Sequence, residues 1–100
     1  MPKSETYISV DVEASGPIPG EFSLLSIGAC VVGWPNQSFY AELKPLNRNF
    51  IPRAMEVNGL SLEKLAKSGE NPVAALARFE SWIKSVCRET RPVFVGFNAT

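Results

Sequence analysis

The sequence predicts an α/β domain in which three strands, joined by short turns, are followed by a helical region and a fourth, parallel strand. Three patterns support this fold class. Apolar and polar residues alternate along residues 7–16, as in a strand with one face on a core. Apolar residues repeat at helical spacing after Asn71-Pro72, and the short continuous apolar run at residues 92–97 is typical of a parallel strand buried on both faces.

The first strand carries two carboxylates. Its alternating residues are Ile8, Val10 and Val12 on one face and Ser9, Asp11 and Glu13 on the other. A strand rises about 3.3 Å per residue, so the Cα atoms of Asp11 and Glu13 should lie about 6 to 7 Å apart, close enough for both carboxylates to bind one cation. Asp11 is the only aspartate in the chain, and the turn-rich loop that follows is of the kind that carries functional sites. The same two side chains could instead simply face water.

Two further strands complete an antiparallel meander. Residues 22–32 are apolar or small on both faces, which predicts a central strand. Residues 34–37 contain proline and asparagine and are predicted to form a turn. The alternating residues 39–44 then predict a third strand, antiparallel to the second, and Glu42 on its polar face suits an exposed edge.

Three helices are predicted between the third and fourth strands. The first spans about residues 53–57 and ends at Asn58-Gly59, and the second is capped by Ser61 and extends to about Lys67. The third is capped by Asn71 and extends to about Arg88. Its apolar stripe, which should pack on the sheet, comprises Val73, Leu76, Phe79, Ile83 and Val86.

The composition is that of a globular protein. Of the 100 residues, 45% are hydrophobic and 20% are charged, and the formal net charge is zero, which argues against a large electrostatic surface for nucleic acid. The chain has no run of about 20 apolar residues, and its first residues lack the apolar core of a secretion signal. We therefore expect a cytoplasmic protein without a membrane partner. Cys30 and Cys87 lack metal-ligand spacing and are predicted to be core thiols.

Four stretches of the sequence resemble a known enzyme family. The residues Asp11-Val12-Glu13-Ala14-Ser15-Gly16 resemble the first motif of the DnaQ-like 3'-5' exonucleases, in which the pattern is close to Asp-x-Glu-Thr-Thr-Gly. This is the DEDD family, which includes ribonuclease T and the proofreading subunits of DNA polymerases. Residues 22–29 resemble its second strand, and residues 57–61 resemble its Val-His-Gly-Ile-Thr segment, with Asn58 in place of histidine. Residues 95–100 resemble the opening of its second motif.

The resemblance implies a ribonuclease H-like mixed sheet, in which a helix crossover leads to a fourth strand parallel to and beside the first. This arrangement would bring Phe97 next to Asp11 and Glu13. In the family, a catalytic aspartate follows soon after the residues that correspond to Asn98-Ala99, and a third motif with a histidine or tyrosine comes later; this chain ends at Thr100 and has no histidine. The resemblance therefore implies that residues 1–100 are the amino-terminal part of a single exonuclease domain, truncated before the last strand and helices and inactive alone.

The resemblance also implies roles for individual residues. Asp11 would bind both of two Mg²⁺ or Mn²⁺ ions and Glu13 would bind one, so both are predicted to be catalytic. Asn98 would either contact substrate or act as a structural cap. The partner would be the single-stranded 3' end of RNA or DNA. The backbone that would approach the terminal nucleotide is that of Ala14, Ser15 and Gly16.

Two other interpretations stay open at this point. A ribonuclease H-like domain that has lost catalysis would serve as a nucleic-acid-binding or protein-interaction domain, and it would lack the later aspartate or the third motif. An unrelated α/β interaction domain, in which Asp11 and Glu13 face water, would show no dependence on divalent ions. Between RNA and DNA, and between a monomer and an oligomer, the sequence favours neither.

Overall fold

The computed structural model describes residues 4–96, which form a four-stranded mixed sheet and three helices. The elements are β1 (Glu5–Ala14), β2 (Leu24–Val31), β3 (Trp34–Glu42), α1 (Pro52–Asn58), α2 (Leu62–Ser68), α3 (Pro72–Cys87) and β4 (Arg91–Gly96). The strand order is β3-β2-β1-β4, with β1 and β3 antiparallel to β2 and with β4 parallel to β1. The predicted mixed sheet is therefore confirmed. None of these helices is long and apolar enough to cross a membrane.

The turn between β2 and β3 lies earlier than the sequence predicts. Residues 34–37 belong to β3, and the chain reverses at Val32-Gly33, where Gly33 has a φ of 88°. This left-handed conformation suits glycine, which has no Cβ to clash with the backbone. The prediction of a turn at residues 34–37 is wrong because Pro35 is tolerated in β3, an edge strand in which not every amide has to pair.

α3 packs on one face of the sheet, but its apolar stripe differs from the predicted one. Asn71 caps the helix as expected, because its Oδ1 accepts hydrogen bonds from Val73 N at 2.9 Å and Ala74 N at 3.2 Å. Val73 and Leu76 are nevertheless 78% and 48% exposed. The first turn instead approaches the sheet through Ala75, a small residue that is fully buried. The residues of α3 that pack on the core are Ala75, Phe79, Trp82, Ile83, Val86 and Cys87.

The core lies between α3 and this face of the sheet. Ile8 of β1 is fully buried, and the Phe39 ring centre lies 5.0 Å from that of Phe79. Cys87 is buried, as predicted, whereas Cys30 is half-buried and points to the opposite face, because it alternates with the core residues of β2. With its apolar side packed on α3, β1 presents its polar residues on the other side of the sheet.

Candidate active site at the end of β1

Asp11 and Glu13 lie near the end of β1, on the face opposite the core. The alternation of the strand places them there, because Ile8 has the other parity and is buried in the core. Asp11 is exposed and Glu13 is half-buried. In the sheet, Asp11 pairs with Gly28 of β2 and Glu13 pairs with Ser26. The neighbours of the two carboxylates on β2 are therefore small residues.

The carboxyl end of β4 lies beside these two residues. β4 runs parallel to β1, and Val10 pairs with Gly96, the last described residue of β4. This pairing confirms that the fourth strand lies parallel to and beside the first, while Phe97, which is expected next to Asp11 and Glu13, lies outside the described residues. Asn98 and Thr100 lie outside the described residues, so the role of Asn98 stays a prediction.

Tyr40 and Glu42 of β3 belong to the same polar face. Tyr40 pairs with Gly28, which pairs with Asp11 on its other side. In the same way, Glu42 pairs with Ser26, which pairs with Glu13. The Tyr40 hydroxyl donates a hydrogen bond of 2.7 Å to Oε2 of Glu42. Burial raises the pKa of Tyr40, and the bond to Glu42 and the negative charge of Glu13 raise it further. Tyr40 is therefore a protonated donor at neutral pH, and Glu42 adds negative charge to this face.

Sequence reasoning missed Tyr40 and Glu42 as neighbours of the carboxylates. The alternation of β3 places Glu42 on a polar face, and Tyr40 shares that face through its i, i+2 spacing. Only the register of three strands shows that this face is also the face of Asp11 and Glu13. The alternation of β3 therefore showed that Tyr40 and Glu42 share a face, but it did not show that this is the face of Asp11 and Glu13 on β1.

The loop after β1 is held by Ser15 and Gly16. Ser15 is fully buried; its Oγ accepts a hydrogen bond of 2.9 Å from Ser23 N, and its own N–H donates one of 2.9 Å to Ser23 O. A Cβ on Gly16 would overlap with the ring of Phe22. The predicted approach of residues 14–16 to substrate stays a prediction, and the fully buried Ser15 presents no exposed atoms for such a contact.

α1 contacts the same loop at both of its ends. The N–H of Ile51, the N-cap residue, donates a hydrogen bond of 2.7 Å to Ser15 O. Asn58 Nδ2 donates a hydrogen bond of 3.3 Å to Ala14 O. Gly59 then ends the helix in the left-handed conformation, with a φ of 68°, which confirms the predicted helix end. α1 therefore lies against the backbone that directly follows the two carboxylates.

Asp11 and Glu13 fit a divalent ion as part of its ligand set. Carboxylate oxygens are the ligands that hard ions such as Mg²⁺ prefer. Within residues 4–96, no group of three or more His, Cys, Asp or Glu side chains is arranged to hold a metal ion. Mg²⁺ is commonly bound by one or two carboxylates together with water and substrate phosphates. The two carboxylates on one face of β1 can therefore serve as protein ligands in such a site, with water and substrate phosphates as the other ligands.

A curated relative supports the resemblance found in the sequence. The chain is 58% identical over 97 residues to the 3'-5' DNA exonuclease Cap18 of Escherichia coli. The match covers 96% of this chain and 52% of the relative, so the chain spans about half the length of the protein it matches. No protein-family model matches the chain.

Solved nuclease structures share the fold. The cell-death related nuclease CRN-4 matches with a TM-score of 0.72 and 17% identity, over 94% of this chain and 35% of that one. A 3'-exonuclease that recognises the histone mRNA stem-loop matches with a TM-score of 0.74 and 10% identity, over 98% and 37%. The zinc-bound complex of E. coli exonuclease I with single-stranded DNA matches with a TM-score of 0.67 and 19% identity, over 96% and 21%. Together these similarities confirm that the chain has a ribonuclease H-like fold and resembles the DnaQ-like 3'-5' exonucleases.

Proposed function

We propose that the full-length protein is a 3'-5' exonuclease, which hydrolyses phosphodiester bonds from the 3' end of a nucleic acid. One observation carries the proposal: Asp11 and Glu13 share a face at the end of β1, beside the end of β4, in a chain 58% identical over 97 residues to a 3'-5' DNA exonuclease. Because that relative is a DNA exonuclease, single-stranded DNA is the first substrate to test and RNA the second. In this proposal, residues 1–100 form the first part of a single exonuclease domain in a cytoplasmic protein.

Asp11 and Glu13 are the proposed catalytic residues. Asp11 would bind two Mg²⁺ or Mn²⁺ ions, and Glu13 would bind one of them. Two such ions, when bound, activate a water molecule and stabilise the charge that develops on the phosphate and on the leaving oxygen. The task of the two carboxylates is to hold the ions at a fixed place at the end of β1, where the sheet keeps the backbone rigid.

The charge of the polar face supports a role for a bound cation. Asp11, Glu13 and Glu42 place carboxylates on the same side of the sheet, and the net charge of the chain is zero. A phosphodiester backbone would be repelled by this face unless a cation lay between the two. We therefore expect the nucleic acid to bind at the end of β1 only together with divalent ions.

The terminal nucleotide is proposed to lie against the loop that follows Glu13. The loop begins after Ala14, the last residue of β1, and both Ala14 and Gly16 are only half-buried, so a ligand can reach the chain there. Ser15 is fully buried and hydrogen-bonded to Ser23 and Ile51, so in this proposal it supports the loop that the nucleotide approaches. Asn98, which resembles a residue in the second motif of the family, is proposed to contact the substrate as well.

The test uses the full-length protein with 5'-labelled single-stranded DNA and RNA in Mg²⁺ or Mn²⁺. We expect a ladder that shortens from the 3' end, and we expect Asp11→Asn to lower the rate at least about a hundredfold, the upper end of the cost of losing an outer partner of a metal site. Glu5→Gln is the matched control, because it removes a carboxylate from the same face of β1 at the other end of the strand. Its rate should stay close to that of the wild type.

The outcomes separate the proposed function from the two alternatives. An Asp11→Asn variant as active as the wild type would contradict the role of Asp11. A wild type that binds the labelled strand without shortening it in either metal would favour a ribonuclease H-like binding domain. A protein whose stability and strand binding both ignore divalent ions would favour an unrelated interaction domain.

A further inference from the structure

α1 is a short helix whose position depends on contacts at its ends. It contains seven residues, none of which is buried, so packing in a core does not hold it. A helix of about two turns is not stable by itself in water. The hydrogen bonds at its two ends therefore contribute to its position, together with the partial burial of Ala54 and Met55.

Both ends of α1 bind the backbone that follows Glu13. At the amino end, Ile51 N donates to Ser15 O at 2.7 Å. At the carboxyl end, Asn58 Nδ2 donates to Ala14 O at 3.3 Å. Ala14 and Ser15 are the two residues directly after Glu13, so α1 and the end of the proposed catalytic strand hold one another in place at two points.

The side chain of Asn58 uses both of its polar atoms. Its Oδ1 accepts a hydrogen bond of 2.8 Å from Leu60 N, which stabilises the turn after α1 and leaves Nδ2 to donate to Ala14 O. The pairing of β1 with β2 shifts register between Glu13 and Ala14. The regular ladder is disrupted at such a shift, so the strand end needs other contacts to fix it. The amide of Asn58 binds the strand at this irregular point.

We propose that Asn58 is a positioning residue, whose amide fixes the carbonyl of Ala14 and thereby holds the Glu13 carboxylate in place for divalent-ion binding. The inference rests on the proposed exonuclease function. A ligand has to be held within about 0.5 Å of its productive position, and the carbonyl that Asn58 binds belongs to the residue next to Glu13. Asparagine suits this task, because it donates a hydrogen bond without adding a charge beside the carboxylates.

Asn58→Ser separates the two hydrogen bonds of this side chain. A serine hydroxyl can still accept the bond from Leu60 N, but it is too short to reach Ala14 O. In the full-length variant, we expect half-maximal Mn²⁺ binding, followed by electron paramagnetic resonance, to require about tenfold more Mn²⁺. The Mn²⁺ concentration for half-maximal rate on labelled single-stranded DNA should rise in parallel, while the KM for DNA changes little.

Ser61→Ala is the matched control for a loss of stability alone. Ser61 caps α2 by accepting a hydrogen bond of 3.3 Å from Lys64 N, so its removal weakens the neighbouring helix without touching β1. Melting temperatures show how much stability each variant loses. If Asn58→Ser melts at a lower temperature, as Ser61→Ala does, but binds Mn²⁺ with the affinity of the wild type, Asn58 is merely structural. The inference is then overturned.

The Mn²⁺ measurement also separates this inference from the proposed function. A wild type that binds Mn²⁺ but cuts neither DNA nor RNA contradicts the exonuclease proposal, whereas weaker Mn²⁺ binding by Asn58→Ser would still support the positioning role. If the wild type cuts DNA and Asn58→Ser equals it in Mn²⁺ affinity and rate, only the positioning role of Asn58 is overturned. If the wild type binds no Mn²⁺, the positioning role is overturned as well.

Discussion

Gly16 is the residue at which the loop after β1 has no space for a side chain. A Cβ at this position would overlap with the half-buried ring of Phe22. The neighbouring Ser15 has its hydroxyl, N–H and carbonyl bonded within the protein, to Ser23 and Ile51. Steric fit at one residue and hydrogen bonds at the next therefore fix the path of the chain directly after the two carboxylates.

Gly16→Ala should destabilise the protein by about 1 to 3 kcal/mol, the usual cost of forcing extra atoms into a packed site. The ring of Phe22 would have to move, and the loop would move with it. Urea unfolding measures the loss. Gly28→Ala is the control, because its Cβ would find its nearest neighbours at 3.8 Å, an ordinary contact distance. Equal stability of the two variants would show that the Phe22 ring moves without cost.

At the scale of elements, Arg78 joins α3 to β3, which is an edge strand of the described sheet. Its guanidinium donates hydrogen bonds of 3.0 and 2.9 Å to the Glu70 carboxylate and one of 3.2 Å to the Tyr40 carbonyl. It also lies 4.6 Å from the centre of the Phe39 ring. The hydrogen bonds from Arg78 lower the pKa of the Glu70 carboxyl below its ordinary value. One side chain thus connects a helix, the segment before it and the edge of the sheet.

Acid should destabilise the wild type more steeply than Glu70→Gln. Because folding lowers the pKa of Glu70, its ionised form stabilises the protein above the ordinary value of 4.5, and this contribution is lost as the pH falls through the lower pKa of the folded state. The difference in melting temperature between the two proteins should therefore shrink between about pH 6 and about pH 3.

The control for this pH dependence is Glu80→Gln. Glu80 forms an exposed i, i+4 ion pair with Lys84 on the same helix. Such pairs contribute little to stability, so Glu80→Gln should change the melting temperature little at any pH. A wild type and a Glu70→Gln variant that differ by the same amount at every pH would contradict the contribution assigned to the pair of Glu70 and Arg78.

At the scale of the whole molecule, β1 serves both the core and the proposed site. Ile8 on one face is fully buried, while Asp11 and Glu13 lie on the other face. The strand contacts β2 and β4 along its two edges and α3 on its apolar side. The carboxylates therefore lie on a strand that has a neighbouring strand at each edge and a helix on one face. Their geometry depends on these contacts being intact.

Ile8→Ala should lower the free energy of unfolding by about 2 to 5 kcal/mol, because truncating a fully buried isoleucine leaves a cavity. Any loss of activity should follow the folded fraction and not a weaker affinity for Mn²⁺. Val73→Ala is the control, since Val73 is 78% exposed and its truncation should change stability by less than about 0.5 kcal/mol. Denaturant titration compares the two. A cost at Val73 as large as that at Ile8 would mean that the stripe predicted from the sequence is the buried one.

The predicted helix ends are confirmed, whereas the predicted turn before β3 and part of the predicted apolar stripe of α3 are wrong. The Asn71 cap and the helix end at Gly59 each involve atoms a few residues apart, so the local pattern was sufficient. The turn predicted at residues 34–37 was wrong because Gly33 allowed an earlier reversal. The stripe of α3 was wrong in its first turn because the close packing of Ala75 on the sheet outweighed the size of Val73 and Leu76.

By itself, the sequence determined that Asp11 and Glu13 share a face, since a strand alternates its side chains with a period of two whatever surrounds it. Only the tertiary structure decided what lies around them. Tyr40 shares their face through the register of three strands, and Asn58 reaches the strand end through a hydrogen bond between residues 44 positions apart. Contacts of this kind join segments that are distant in the chain, so no local pattern encodes them, and they form only when the elements pack together.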